Sequence, residues 1–352
     1  MNRRLPAEWE PQSAIQFTFP HANSDWAAVL DVVVPCVVEA IEIVSRYQKV
    51  LVVCEGVKSV QLLLKNANQE NLILRELPSN DTWARDHGGI TIFEKDEPVI
   101  LDFVFNGWGL KFAADQDNLI TRRLFEKGIF KTNKIQHGGI VLEGGGIESD
   151  GQGTLLTTTQ CMLSPNRNPH LTQAEIETKL KELFGLKRVL WLEHGHLAGD
   201  DTDAHIDTLA RFCNEHTIAY MQCNDPQDEH YESLQKMEQE LQAFRQLNGA
   251  PYQLVPLPLP TAIYDPKDGH RLPATYANFL IINGAVLVPT YHVPEDAQAL
   301  AQLTNCFPDR TVIGIDCRTL ILQHGSLHCI TMQYPAGVVE LTYEYGSKDA
   351  HG

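Results

Sequence analysis

Positive charge is scarce in this chain: lysine and arginine total 28 against 45 acids, a formal net charge of -17 at pH 7. That balance disfavours nucleic acid and anionic membrane surfaces as partners and suits a cationic ligand. None of the eight cysteines, at 36, 54, 161, 213, 223, 306, 317 and 329, forms a Cys-x-x-Cys pair. There is no small-domain disulfide framework, and the pattern fits reduced thiols in the cytoplasm. Long apolar runs are also missing. The most apolar early stretch, Val32 to Ile43, is broken by Pro35, Glu39 and Glu42, so no membrane span is expected. Met1-Asn2-Arg3-Arg4 is not followed by a signal-peptide core. No segment rich in Pro, Gly and Ser divides the 352 residues, and the 43% of hydrophobic residues are spread throughout. A single domain over residues 1–352 with a sizeable core is the expectation.

What is present is a repeating order of elements. Glu148-Ser149 and Thr154 to Thr158 read as a strand pair around Asp150-Gly151. A helix from Thr172 to Phe184 follows, opened by the capping-box residues Thr172 and Glu175, and then the strand Val189 to Leu192. The same order recurs in Ile206 to Phe212, Ile218 to Gln222, a helix from Tyr231 to Leu247, and Gln253 to Leu257. A third copy runs through Leu280 to Ile282, Ala285 to Val288, a helix from Glu295 to Cys306, and Val312 to Ile315, with the hairpin dipeptide Asn283-Gly284 inside it. Gly89 to Phe93, Val99 to Phe105 and a helix near Asp115 to Lys127 supply a fourth. The N-terminal segment is the fifth: strands Ile15 to Phe19 and Val50 to Cys54 flank a helix from about Trp26 to Tyr47, with Val338 to Tyr343 as a candidate completing strand. Each unit is too small to bury its own apolar face, so stacking about a common axis is the natural arrangement. An ordinary open α/β sheet fits the pattern as well.

Four side chains carry candidate chemistry: Cys329, His205, Asp207 and Asp86. A nucleophilic thiol needs a proton carrier, and paired carboxylates match a planar guanidinium; together they point to attack on a guanidine carbon. Placed in a strand, His205 and Asp207 would share one face by the period of two. Thr82-Trp83-Ala84-Arg85-Asp86-His87-Gly88-Gly89 reads as a loop in which Trp83 suits a binding wall. The competing reading is an Arg85–Asp86 surface contact. Glu143 before Gly144-Gly145-Gly146 is a candidate ligand-binding acid beside a close backbone approach, although the run lacks the Lys and Ser/Thr of a phosphate loop. The acidic segment Asp200 to Asp207 alternatively reads as a solvated turn or a metal site, with His194, His196 and His205 as zinc ligands. Cys329 could equally be a core thiol and His328 its surface neighbour.

Taken together, these motifs resemble the agmatine deiminase family and its relatives around bacterial peptidyl-arginine deiminase, within the guanidine-modifying superfamily. The resemblance runs through Pro6-Ala7-Glu8-Trp9-Glu10-Pro11, Asp25-Trp26, Asn80 to Asp86, Leu142 to Gly146, Asp150 to Thr154, Asn166-Arg167-Asn168-Pro169, His205-Ile206-Asp207 and His328-Cys329-Ile330-Thr331. It implies a five-bladed α/β propeller of β-β-α-β units. It also implies Cys329 as nucleophile, His205 as general acid and base, Asp86 and Asp207 gripping the guanidinium, Trp83 at the substrate channel, and no metal or organic cofactor. The implied partner is a small cationic guanidine rather than nucleic acid or membrane, and a propeller face is compatible with a homo-oligomer. His87-Gly88-Gly89 replaces the family's Gly-Pro after Arg-Asp, Ala204 its Gly before His-x-Asp, and Gly146 a polar residue. These departures bear on the substrate tail. Arginine carries a carboxylate that agmatine lacks, and the few basic candidates to meet it include Arg85 and Arg167, so agmatine is preferred. Deimination of free or peptidyl arginine, and a non-catalytic acidic module binding metal or polyamine, are the rivals.

Overall fold

Residues 3–339 are described by the computed structural model, in which the strands form five separate sheets within a mixed α/β architecture. Three sheets have the same internal order, an antiparallel pair joined through a helical connection to a third, parallel strand. They are built from Glu148–Ser149, Thr154–Thr158 and Arg188–Leu192; from Ala210–Asn214, Thr217–Gln222 and Gln253–Pro258; and from Leu280–Ile282, Ala285–Thr290 and Thr311–Asp316. The fourth, Ile90–Glu94, Glu97–Val104 and Ile135–Val141, adds the short N-terminal strand Arg3–Arg4 at its edge. In the fifth, Gln12–Thr18 runs parallel to Lys49–Cys54 and antiparallel to Thr331–Pro335. The two ends of the chain thus build one unit. The completing strand is Thr331–Pro335 rather than the expected Val338 to Tyr343: Val339 makes an isolated bridge to Phe130, and residues 340–343 lie outside the described residues.

Local sequence accounts for these elements. In Lys49–Cys54, Val50, Val52 and Cys54 enter one apolar core while Leu51 and Val53 enter a second, so both faces are covered and the strand reads as a continuous apolar run. The helix Gln173–Phe184 carries the expected Thr172–Glu175 capping box, buries Ile176, Leu180 and Phe184, and stops at Gly185 with φ +70°. The helix Tyr231–Ala243 ends four residues before the expected Leu247. Phe244 is extended, and Arg245 pairs with Pro251 around a turn at Gly249, φ +85°. The Asp115 to Lys127 helix shortens to Ile120–Glu126. Ahead of it Asp117 is buried in a 3-10 turn, where its carboxylate accepts the backbone N–H groups of Asn80 and Asp81 at 2.7 and 3.1 Å. No helix among the described residues is long and apolar enough to cross a membrane.

Between the sheets lies a buried ionic group. Arg211, fully buried, donates to Glu148 at 2.6 Å, to Glu8 at 2.8 Å and to the Phe279 carbonyl at 2.6 Å. It ties the N-terminal segment to two of the sheets. Removing the guanidinium leaves Glu148 buried without its ion-pair partner and takes one partner from Glu8, so Arg211→Ala is expected to destabilise the fold by about 3–5 kcal/mol. Urea denaturation followed by tryptophan fluorescence measures this, and a loss under 1 kcal/mol contradicts the role given to Arg211.

Candidate active site

Each of the five sheets contributes residues from the segment that leads into the strand lying antiparallel to its parallel pair. Trp83 and Asp86 precede Ile90–Glu94, Glu143 and Gly145 precede Glu148–Ser149, and His205 and Asp207 precede Ala210–Asn214. Asn278 precedes Leu280–Ile282, and His328 and Cys329 precede Thr331–Pro335. Residues spread over nearly 250 positions are brought together by one repeated structural position.

Asp86 sits in a single helical turn, Ala84–His87, and is buried. One of its oxygens accepts the Trp108 indole N–H at 2.9 Å, and the other accepts the Gly145 backbone N–H at 3.1 Å. The Trp108 backbone has φ +55° between Gly107 and Gly109, also at positive φ. A left-handed tryptophan is costly, and here that backbone aims its indole at the carboxylate. Gly145 is a close approach: a Cβ there would lie 2.6 Å from His205 Nδ1 and 2.8 Å from Asp86 Oδ1. The glycine run before Ile147 is thus a 3-10 turn laid against the acids, as the close-approach reading expects.

His205 and Asp207 are not in a strand. His205 caps, and Asp207 lies within, the 3-10 turn Ile206–Thr208, so the period-of-two argument does not apply. Asp203 and Ala204, at φ +65° and +59°, turn the chain into this position. Ala204 therefore occupies left-handed backbone at the point where the family pattern expects glycine, which favours that conformation. Both side chains nevertheless face the Gly145 turn. His205 Nδ1 is 3.6 Å from Asp86 and Nε2 is 3.7 Å from Glu143. Burial opposes a charge on this imidazole, but Asp86, with Cys161 and Glu143, holds its pKa well above the ordinary value. These neighbours favour the imidazolium over the neutral ring.

Cys329 is 4% exposed, with Sγ 3.4 Å from Asn278 Oδ1 and 3.9 Å from Asp207 Oδ2. Burial, then Asp207 and Asp86, push its thiol well above the ordinary value. Asp86 is itself raised to about 6, chiefly by burial, with Asp207 and Glu143 repelling its charge and His205 opposing the rise. Asp207 moves the other way: burial disfavours its charge, but the hydrogen bond and charge of His328 hold it below the ordinary range. His328 is not a surface neighbour. It is buried between Asp207, 2.8 Å from Nδ1, and Glu8, 2.7 Å from Nε2, and fixes the Asp207 carboxylate through Oδ2.

Above Cys329 opens a pocket of about 390 Å³, including its mouth. Trp83, Trp108 and Phe112 form apolar wall, and four acids, Asp25, Asp81, Asp86 and Asp201, line it without a lysine or arginine. Burial falls from Asp86 and Cys329 through the partly buried Asp81 and Asp201 to the exposed Asp25, which sets the direction of the mouth. Trp83 packs directly on Gly325, where a Cβ would come within 2.2 Å of the indole.

Other sequence expectations are redirected. Arg85 and Asp86 make no surface contact; Arg85 is buried and donates to Gln333 at 2.6 Å. Arg167 is held by Glu143 at 2.8 Å and by Asp203 at 2.5 Å. Neither arginine lines the pocket. Glu143 is buried against Arg167 and His205, away from the pocket lining. His194 pairs with Glu240 and His196 with Ser233, so these histidines do not assemble with His205 as a zinc set. The acidic segment is likewise divided, with Asp200 capping its own turn and Asp203 serving Arg167 and Lys111. Sequence reasoning missed Trp108, Asn278 and Cys161. Trp108 had a signal in its flanking glycines; Asn278 had one only in its place just before a strand.

The geometry can be set beside known proteins. The sequence profile of the Porphyromonas-type peptidyl-arginine deiminases matches residues 4–335. An agmatine deiminase of Pseudomonas aeruginosa is 31% identical, with 95% of each chain covered. A solved C. jejuni agmatine deiminase with substrate bound is 40% identical, with a TM-score of 0.88 over 94% of this chain and 96% of that one. A Porphyromonas gingivalis structure described provisionally as an arginine deiminase is 55% identical, with a TM-score of 0.92 over 96% and 100%. A thiol, an imidazole and paired acids on a fold shared this closely leave one conclusion: the chain belongs to the Porphyromonas-type peptidyl-arginine deiminase family and is an enzyme of that kind.

Proposed function

We propose that this enzyme hydrolyses agmatine to N-carbamoylputrescine and ammonia through a covalent intermediate on Cys329, within a single domain whose five units are the blades of a propeller around the site. The observation that carries the substrate assignment is the pocket lining, with four carboxylates and no lysine or arginine. Agmatine is cationic at both ends. Its guanidinium meets Asp86 and Asp207 beside Cys329, its methylenes lie along Trp83, Trp108 and Phe112, and its ammonium meets the outer acids.

The free thiol is neutral, and a bound guanidinium offsets the two carboxylates that hold it so. As the guanidinium enters, the Cys329 proton passes to solvent, and the thiolate attacks the guanidine carbon while Asp86 and Asp207 keep the planar cation in place. The C–S bond forms and a C–N bond breaks, His205 passing its proton to the departing nitrogen, which leaves as ammonia. Water attacks the amidino-cysteine carbon, His205 takes one of its protons, the C–S bond breaks to release the ureido product, and the other water proton returns the departing thiolate to the resting thiol. Glu143 stabilises the charged imidazole from its Nε2 side.

Arginine would bring a carboxylate toward Asp81 and Asp201. Like charges so placed cost several kcal/mol, so kcat/KM for free arginine is expected to be lower than for agmatine by about 10²-fold or more. The 55% identity to the P. gingivalis protein favours the arginine reading. Ammonia release from agmatine, free arginine and an arginine peptide decides between them, and higher kcat/KM on either arginine substrate overturns the assignment. Asp201→Asn should raise KM for agmatine by about tenfold, the worth of one charge-assisted contact, with kcat little changed.

pH gives an independent check. Asp86 must be ionised to hold the guanidinium, and burial raises it to about 6. Falling pH protonates it, so kcat/KM for agmatine should decline tenfold per unit below about pH 6. A profile flat from pH 7 down to 4.5 contradicts this.

A further inference from the structure

Cys161 is a second buried thiol at the site, unused in the chemistry above. It is carried by a single turn, Thr159–Met162, whose capping residue Thr158 accepts the Cys161 N–H at 3.3 Å. Its sulfur, a Glu143 carboxylate oxygen and a His205 ring nitrogen all lie within 4.8 Å of one another, on fully buried residues. His205 Nδ1 is turned to Asp86, which leaves Nε2 on the Glu143 side. Neither ring nitrogen has a hydrogen-bond partner, although His205 is only 1% exposed. An imidazole so buried, its flanking carboxylates at 3.6 and 3.7 Å rather than in hydrogen-bond contact, has both nitrogens open to a ligand.

The His205–Glu143 spacing is within reach of a small tetrahedral cation, and the Cys161 sulfur lies within 4.8 Å of both. Zinc bonds of roughly 2.0–2.3 Å to nitrogen, oxygen and sulfur place neighbouring ligand atoms about 3.3–3.7 Å apart. The Nε2 to Glu143 separation is 3.7 Å. The Cys161 thiolate supplies one negative charge and Glu143, shared with Arg167 at 2.8 Å, part of a second, while the sulfur discriminates against magnesium and calcium.

We propose that Glu143, Cys161 and His205 form an inhibitory site for a thiophilic divalent cation such as Zn²⁺. Binding forms Zn–S, Zn–N and Zn–O bonds, and the protons of the Cys161 thiol and the His205 imidazolium pass to solvent. With Nε2 on the metal the ring is a neutral imidazole, and its remaining Nδ1–H, on the Asp86 side, is far less acidic than that of an imidazolium, so it no longer protonates the leaving nitrogen and turnover stops. The inhibition half of this inference rests on His205 being the proton carrier; the binding half does not.

The test uses the full-length protein, Cys161→Ser, Cys161→Ala as a second replacement, and Cys329→Ser, each checked for native circular dichroism. Cobalt(II) is the binding probe, because a cobalt–thiolate bond gives a near-ultraviolet charge-transfer band. Wild type and Cys329→Ser should each take up one Co²⁺ per chain with that band, displaced by Zn²⁺; both Cys161 variants should lack it. Zn²⁺ should inhibit wild-type turnover reversibly, with EDTA restoring it and Mg²⁺ without effect. At least tenfold more Zn²⁺ should be needed for the Cys161 variants. A band lost in Cys329→Ser and kept without Cys161, or no band in any form, overturns the site. Cobalt binding as described, in a protein that turns over no guanidine, leaves the site standing and sinks the catalytic reading instead.

Discussion

Cys329→Ser should lower agmatine turnover by about 10⁴-fold or more, because it removes the atom to which the guanidine carbon is transferred. The serine hydroxyl is of similar shape but far more basic as an oxyanion, and no neighbour is placed to deprotonate it. Asn278 Oδ1, Asp207 and Asp86 all surround the position with negative or acceptor character. That surrounding suppresses ionisation even of the native thiol until a cation arrives. Substrate binding should survive, since Asp86 and Asp207 are untouched: the variant should hold agmatine with a Kd near the wild-type KM, measured by isothermal titration calorimetry. Residual turnover above one hundredth of wild type contradicts the nucleophile assignment.

His205→Asn should cost about 10³-fold in kcat, within the range for losing a positioned acid and base. The native imidazolium is held by Asp86 at 3.6 Å and Glu143 at 3.7 Å, and both ammonia loss and water attack depend on its proton. An asparagine keeps polar contact with these acids but transfers no proton. The deficit should therefore fall on kcat, with KM changed by less than about tenfold. Stopped-flow release of ammonia separates the steps. A normal burst followed by slow turnover would restrict His205 to the second half of the reaction, and normal kcat would remove it from both.

The apolar alternation and the capping and hairpin signals made the strand-strand-helix-strand units legible, and the helix Gln173–Phe184 was found within a residue of its start. Less legible were the breaks set by polar side chains acting at a distance. Asp117 binds the backbone of Asn80 and Asp81, and nothing local to residues 115–127 announces it. The site was partly readable for a related reason. His205 and Asp207 drew attention by residue type, but their joint placement comes from a 3-10 turn and two left-handed residues, not from a strand. His328 looked incidental because its partners, Asp207 and Glu8, lie 121 and 320 residues away. Cys161 gave no signal at all, being one short apolar thiol among eight. A helix or strand is written in neighbouring residues, whereas a buried polar contact is written in residues the fold has yet to bring together.

The mechanism stands on a covalent bond between Cys329 and the guanidine carbon of agmatine. Acid-quenching the wild-type enzyme within one turnover, followed by intact and peptide mass spectrometry, tests it directly. The predicted result is an added mass equal to agmatine less ammonia, on the peptide containing Cys329 and on no other cysteine. Ureido product formed at full rate with no adduct on Cys329 at any quench time, or an adduct on a different residue, would contradict it.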